Sequence, residues 1–208
     1  MTGDDLKAML LATAAAMDAS KDQLCALDGE IGDADHGIAM SRGFGAIRTA
    51  LDDLTGETPT GVFNAAARAF LNEVGASSGP LYATAFMRAA AILKGKETVG
   101  ANEARDIVVS MADGIAKRGK AERGDKTMLD AWGPASEAIQ RTTPQSVLEV
   151  FKTSAEAAKI GAEETVNMLA KKGRAARLGV RSLGHRDPGA VSAALILDAM
   201  AAHLEENS

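Results

Sequence analysis

Along nearly the whole chain, apolar residues return at steps of three and four rather than two, the spacing of one face of an α-helix. Leu6, Met9, Leu10, Ala14 and Met17 form the first such stripe and predict a helix from about Asp4 to Asp18. Ser20 followed by Gln23 reads as a capping box opening a second helix, with Leu24, Leu27 and Ile31 turned inward. A Gly- and Asp-rich stretch, Asp28 to Gly37, breaks the pattern before Met40, Phe44, Ile47 and Leu51 resume it. Thr60 is placed to cap the next helix. After VGASSGP, the positions Leu81, Ala85, Met87 and Leu93 form another stripe, and a further helix spans about Asn102 to Lys117. Beyond RGKAERGDKT, Met128, Trp132 and Ile139 mark a helix whose first turns Pro134 kinks or constricts. Thr143 before Pro144 predicts the start of a long helix ending near Lys172, and the last helix runs from about Gly189 to Leu204. No run of alternating β-branched residues competes, so the class is all-α. The stripes are alanine-rich with few aromatics, and small side chains let helix axes approach closely. The expectation is an eight-helix antiparallel bundle or closed barrel, one domain over residues 1–208.

Charge and composition narrow the function. The formal net charge of -5 is the wrong sign for a protein that binds a phosphate backbone, so nucleic acid is not an expected partner. Cys25 is the only cysteine, which excludes an internal disulfide and fits a reducing cytoplasm. The N-terminal segment has acids before its apolar run and no basic stretch, unlike a signal peptide. No apolar run approaches the roughly 20 residues that cross a bilayer, so a soluble protein without a membrane partner is expected.

Four interhelical segments carry more Gly, Asp, Ser and Arg than connection requires: LDGEIGDADHG, VGASSGP, RGKAERGDKTM and KKGRAARLGVRSLGHRDPG. Loops after alternate helices of an up-and-down bundle lie at one end, so helix parity predicts that the four converge on one rim. Asp28, Asp33 and Asp35 cannot share a face of one continuous helix, because steps of five and two point in different directions. The backbone must bend, with Gly29, Gly32 and Gly37 supplying freedom. Two readings stand at this point: ordinary turn and cap aspartates, with Asp35 capping the next helix, or a site for a hard divalent cation such as magnesium. His36 is either a first-turn residue or a donor to a phosphate held at the helix end. GASSG is either a flexible turn or a place where the N–H groups of Ser77 and Ser78 approach a phosphate or base. Arg174, Arg177, Arg181, His185 and Arg186 are either a solvated basic face or part of the same rim, and Asp187, Pro188 and Gly189 start the last helix.

The residues EIGDADHG, MSRGF, ASSGPL, RGKAERGDKTM, KGRA, LGVRSLGH and DPGA, in this order and spacing, resemble the L subunit of dihydroxyacetone kinase. The resemblance spans Asp28 to the last helix and implies an eight-helix barrel with nucleotide bound at one rim. It implies that Asp28, Asp33 and Asp35 hold two magnesium ions bridging the phosphates of ADP or ATP. His36, Gly37, Ile38 and Ala39 would lie against the phosphates, with Ser77, Ser78, Gly119, Met128, Arg174 and the turn Asp187, Pro188, Gly189 lining the rest. One departure stands out: the family has Asn where this chain has Ala39, which leaves only the backbone there to serve. On this resemblance the chain is half of a phosphotransferase-type kinase, with no acid or base residue of its own and inactive alone. It would pass a phosphoryl group from the magnesium nucleotide to dihydroxyacetone or a tetrulose held on a separate sugar-binding subunit. A multiphosphoryl phosphotransferase protein or free ATP would supply that group. A homodimer is also open, as is a regulatory module that binds magnesium nucleotide without catalysis. Arg123, Lys126, Arg181 and Arg186 are candidates to steer an acidic partner surface, or are solvated charge.

Overall fold

The computed structural model describes residues 1–75 and 78–208, and among them it contains nine α-helices and no strand. These are α1 (Gly3–Ala19), α2 (Lys21–Ile31), α3 (His36–Asp52), α4 (Pro59–Glu73), α5 (Ser78–Ile92), α6 (Ala101–Gly119), α7 (Leu129–Gln140), α8 (Val147–Glu164) and α9 (Pro188–Glu206). Eight of them close a ring in the order α1, α3, α4, α5, α6, α7, α8, α9 and back to α1. The ninth, α2, lies across one end against α3 and α9, so the eight-helix expectation holds for the staves of the barrel. Packing of α2 onto α3 is tight: a Cβ at Gly37 would fall 1.9 Å from the Lys21 carbonyl oxygen.

Local chemistry explains most helix starts. Thr2 and Asp5 form a reciprocal capping box on α1, and Asp187 with Pro188 caps and opens α9. Three starts differ from expectation. Ser20 has no side-chain cap bond, because it is also the C-cap of α1 and its backbone (φ -89°, ψ 0°) is not extended. Thr58, followed by Pro59, caps α4, while the Thr60 hydroxyl is buried in its first turn without a partner among the described residues. Ser146 rather than Thr143 caps α8, since its hydroxyl accepts from Glu149 N–H and the Glu149 carboxylate accepts from Gln145 N–H. That helix also stops at Glu164, short of Lys172, and gives way to two 3₁₀ segments, Thr165–Asn167 and Ala175–Ser182.

The barrel is filled by side chains. Phe44, Phe70, Phe86 and Tyr82 pack edge-to-face or tilted around the α3–α5 side, with Phe44 and Phe70 centroids 5.5 Å apart, and Phe63 stacks on Phe86. Trp132 and Phe151 fill the α7–α8 side, so every aromatic ring of the chain is in the core. Small residues set the spacing of the staves: a Cβ at Gly161 of α8 would lie 2.0 Å from the Asp130 carbonyl oxygen and 2.7 Å from Pro134 Cγ of α7. Gly161→Ala is therefore expected to destabilise the fold by ~1–3 kcal/mol through overpacking. Gly45→Ala, on α3 with nothing within 4 Å of the new methyl, is expected to stabilise it by ~0.5–1 kcal/mol. Urea unfolding followed by circular dichroism measures both, and equal effects at the two positions would refute the close-contact account.

Candidate functional site

The antiparallel ring delivers the four polar segments to one end, as parity predicts. There they line a single cavity of about 510 Å³. Its walls come from the end of α2 (Asp28, Ile31), the following bend and start of α3 (Asp33, Asp35, His36, Ile38, Ala39, Arg42), the α4–α5 junction (Glu73, Val74, Gly75, Ser78, Leu81), the α6–α7 loop (Lys126, Thr127, Met128), and the segment before α9 (Lys172 to Ala175, Asp187 to Gly189). Ser77 lies outside the described residues.

Asp28, Asp33 and Asp35 converge, with one oxygen of each lying within 4.8 Å of the others. Three features of the chain achieve this. Asp28 sits on the last turn of α2, and its Oδ2 accepts from Asp35 N–H at 3.0 Å and His36 N–H at 3.3 Å, capping α3 from a distance. Asp35 occupies the N-cap position but makes no side-chain cap bond, so its carboxylate stays available to the cluster. Gly32 leaves space for Asp28: a Cβ there would fall 2.1 Å from Asp28 Oδ1. The left-handed turn of the bend is taken by Ala34 (φ 61°) rather than by a glycine. Crowded carboxylates need a counter-charge, and Arg174 supplies one, pairing with Asp33 and, at 3.4 Å, with Asp35. Hard oxygens from three aspartates, two of them exposed, suit a divalent cation of the magnesium or calcium type.

Facing the carboxylates are helix N-termini. Because alternate staves start at this rim, α3, α5 and α9 present first-turn residues to the cavity, and α7 presents its N-cap Met128. The first N–H groups of a helix lack intrahelical acceptors. In α3, Asp28 takes those of Asp35 and His36, and Ala39 N–H already donates to Asp35 C=O at 2.9 Å. The donors left without a protein acceptor among the described residues are Gly37 and Ile38. The Ala39 N–H is thus engaged within the helix, while those of the two residues before it are not. At α9, Asp187 accepts from Ala190 N–H at 2.7 Å and Pro188 has no N–H, which leaves Gly189 free to donate. Gly189 also brings the backbones of α9 and the α6–α7 loop together, since a Cβ there would sit 3.4 Å from Met128 N. Gly119 and Gly37 are behind the wall rather than on it: Gly119 packs against Leu81, and Gly37 is covered by α2.

His36 points into α9, its Nε2 lying 2.9 Å from Ser192 Oγ. Burial holds its imidazole below the ordinary histidine range, with the Asp28 carboxylate opposing. Asp187 is 8% exposed, and its carboxyl is pushed up to about 7 by burial, with Asp130 and Asp28 adding to the rise and the Ala190 N–H and Lys126 opposing it. Lys126 is not a steering charge. Its side chain is buried, its ammonium shares three N–H groups among four backbone carbonyls within hydrogen-bond reach, and burial draws it below the usual lysine range against the pull of Asp187. Arg123 and Arg186 are held by Glu137 and Glu163, at 3.1 Å and 2.6 Å.

With this geometry in hand, comparison with known proteins decides the family. The DAK2 domain profile matches residues 30–202. The chain belongs to the DAK2 domain family. It is similar to the Listeria innocua "PEP-dependent dihydroxyacetone kinase 2, ADP-binding subunit DhaL", 38% identical over 92% of this chain and 90% of that one. It also resembles the Pectobacterium atrosepticum "L-erythrulose kinase", 34% identical over 97% of this chain but only 36% of that longer protein. The crystal structure of the dihydroxyacetone kinase from C. freundii in complex with AMP-PNP and Mg2+ superposes with a TM-score of 0.72 at 25% identity, covering 94% of this chain and 33% of that chain. The DAK2 fold is thus shared, and no helix among the described residues is long and apolar enough to cross a membrane.

The DAK2 rim makes a pH prediction. Folded Asp187 keeps its proton up to about 7, against an ordinary value of 3.8, so between these limits the folded state binds more protons than the unfolded one. Its contribution to stability therefore falls as pH rises through that window. Asp187→Asn keeps a capping side chain and removes the titration. In magnesium-free denaturant titrations, wild type is expected to lose on the order of 2–4 kcal/mol relative to the variant between about pH 4 and about pH 7. A constant difference across the window would show that Asp187 is ionised throughout.

Proposed function

We propose that this chain is the nucleotide-binding, phosphoryl-donating subunit of a dihydroxyacetone-type kinase, and that residues 1–208 act as one such domain. The observation that carries the reading is the pairing, across one cavity, of three convergent carboxylates with unused N–H groups at the starts of α3 and α9. Such a cavity suits a polyphosphate whose charge is met by a divalent ion on one side and backbone donors on the other. A relative named as an ADP-binding subunit, matched over nine-tenths of both chains, supports adenine nucleotide as the ligand.

In this reading Asp28, Asp33 and Asp35 hold magnesium, two ions on the family pattern, and bound magnesium supplies charge neutralisation on the phosphoryl oxygens. The remaining work falls to the chain. Ile38 and Gly189 donate backbone N–H groups to phosphate oxygens, Gly37 supports the turn from behind the wall, and His36, fixed by Ser192, orders the first turn that presents Ile38. Arg174 adds a guanidinium at the carboxylate edge, where it reaches phosphoryl oxygens as well as Asp33 and Asp35. Leu81, Met128 and Val74 offer aliphatic surface to the nucleoside, with Gly75, Ser78 and the Asp187–Pro188 turn completing the pocket and Gly119 backing Leu81. None of these groups is required to take or give a proton, which agrees with a transfer driven by positioning and electrostatics. The acceptor, dihydroxyacetone or a tetrulose, is held by a separate sugar-binding subunit that closes the open rim. A multiphosphoryl phosphotransferase protein renews the bound nucleotide. The lone Cys25 and the absence of any possible internal disulfide suit a cytoplasmic complex.

Asp33→Asn and Asp35→Asn are expected to keep helical circular dichroism and lose binding of magnesium and ADP in calorimetry. At a ligand concentration about a hundred times Kd, wild type should gain ~2.7 kcal/mol of stability and the variants none. Equal gains in all three proteins would overturn the metal assignment. The isolated chain with magnesium and ATP is expected to phosphorylate neither dihydroxyacetone nor erythrulose until the sugar-binding subunit is added, and turnover by the chain alone would overturn the division of labour.

A further inference from the structure

Between α8 and α9 the chain leaves the barrel for an excursion, residues 168–187, that brings Lys172, Gly173, Arg174 and Ala175 over the cavity. Among the described residues, the middle of this excursion has one polar tie to the carboxylate cluster, the pairing of Arg174 with Asp33 and Asp35. Elsewhere Lys171 N–H donates to Asp125 C=O of the α6–α7 loop at 3.0 Å with its ammonium 3.5 Å from the Asp125 carboxylate, His185 Nδ1 lies 3.4 Å from Glu30, and Arg186 pairs with Glu163 at 2.6 Å. At the two feet a single side chain of the α6–α7 loop reaches both stretches of the chain at once. Lys126 Nζ donates to Thr165 C=O at 2.9 Å and Met168 C=O at 3.2 Å on the outgoing foot, and to Ser182 C=O at 2.5 Å and His185 C=O at 2.6 Å on the returning foot. The feet are also knit to each other, through Gly184 N–H to Val166 C=O at 2.9 Å, Ala170 N–H to Ser182 Oγ at 3.0 Å and Asp187 N–H to Thr165 Oγ1 at 2.9 Å.

The geometry at Lys126 demands a positive donor. Carbonyl oxygens only accept, so four of them around one nitrogen select an ammonium, whose three N–H groups are shared among the four. The residue is 1% exposed, so no water replaces it. Its own backbone is left-handed (φ 61°), which turns the side chain inward, and buried carboxylates on either side brace the loop. Asp125 accepts from Glu122 N–H at 3.0 Å, and Asp130 accepts from Gly124 N–H at 2.6 Å and Thr127 N–H at 2.9 Å.

We propose that Lys126 is a positioning residue for phosphoryl transfer: its ammonium pins both feet of the 168–187 excursion to the α6–α7 loop and so fixes Arg174 above the aspartate cluster. The barrel does not need this pin, because α8 packs directly on α7 and α9. Loss of the pin therefore loosens the excursion and spares the staves. That Arg174 then serves a nucleotide phosphate rests on the function proposed above, whereas the pin itself does not.

The test uses the full chain with Lys126→Met, which keeps the stem length and removes the charge. Hydrogen exchange in the absence of ligand is expected to speed up about tenfold or more in peptides covering residues 168–187, with α3–α5 peptides unchanged. Unchanged exchange in the excursion, or equal acceleration throughout the protein, overturns the pin. In calorimetry with magnesium and ADP, Lys126→Met and Arg174→Ala are each expected to weaken binding about tenfold, and the double variant no further than the stronger single one, because Lys126 acts through Arg174. Additive losses overturn that route. If wild type itself fails to bind magnesium and ADP, the nucleotide reading falls and the exchange result still decides the pin. A measurement on wild type covers the case of a variant that does not fold: with ¹⁵N-lysine labelling, Lys126 should give a slowly exchanging Nζ resonance near neutral pH. Its absence, under conditions where backbone signals of the α6–α7 loop are sharp, overturns the buried ammonium.

Discussion

Closure of an even-numbered antiparallel ring is the constraint from which the rest follows. Each stave must bury one face inward and touch a neighbour on both flanks, and with eight staves every second one begins at the same rim. Four helix starts therefore gather at one end, and with them the N–H groups that helices cannot satisfy themselves. The carboxylates of α2 and the bend after it are brought to the same end because α2 is not a stave and lies across the opening. A single topological decision thus gathers helix N–H groups and a carboxylate cluster at one end of the barrel.

Which donors remain available is settled by competition among short polar side chains. Asp28 consumes two N–H groups of α3 and Asp187 consumes one of α9, so the free ones are Gly37, Ile38 and Gly189. The same economy appears in the α6–α7 loop, where Asp125 and Asp130 hold the backbone and release Lys126 to reach across to the neighbouring segment. Because every Phe, Tyr and Trp ring is used in the core, the cavity is walled by backbone, aliphatic and hydroxyl side chains, the His36 imidazole and charge.

The helices, their approximate limits and the aspartate cluster were legible in the sequence because each rests on contacts between near neighbours: apolar spacing, capping residues, three carboxylates within eight positions. What was hidden depends on partners far along the chain. The end of α8 at Glu164 is one case, for the apolar pattern continues through Leu169 while the carbonyls of Thr165 and Met168 are claimed by a lysine about forty residues earlier. Lys126 is the same error seen from the other side, since a lysine in a Gly-rich polar loop reads as solvated. Ser146 displaced Thr143 as a cap through the paired Glu149, a signal that was present in the sequence but outweighed by the Thr–Pro pair. At Ala39 the substitution was visible, whereas the helical bond that occupies its N–H was not.

The position of Trp132 decides what ordinary spectroscopy can see of this molecule. The chain has one tryptophan, and its indole is sealed inside the ring on α7, away from solvent. Its emission reports whether the staves are closed. An excursion that swings free of the cavity, or a rim that gains or loses a ligand without parting the helices, leaves that indole in the same surroundings. A fluorescence melting curve of this protein is accordingly a record of the barrel, silent about the part of the molecule where chemistry would occur.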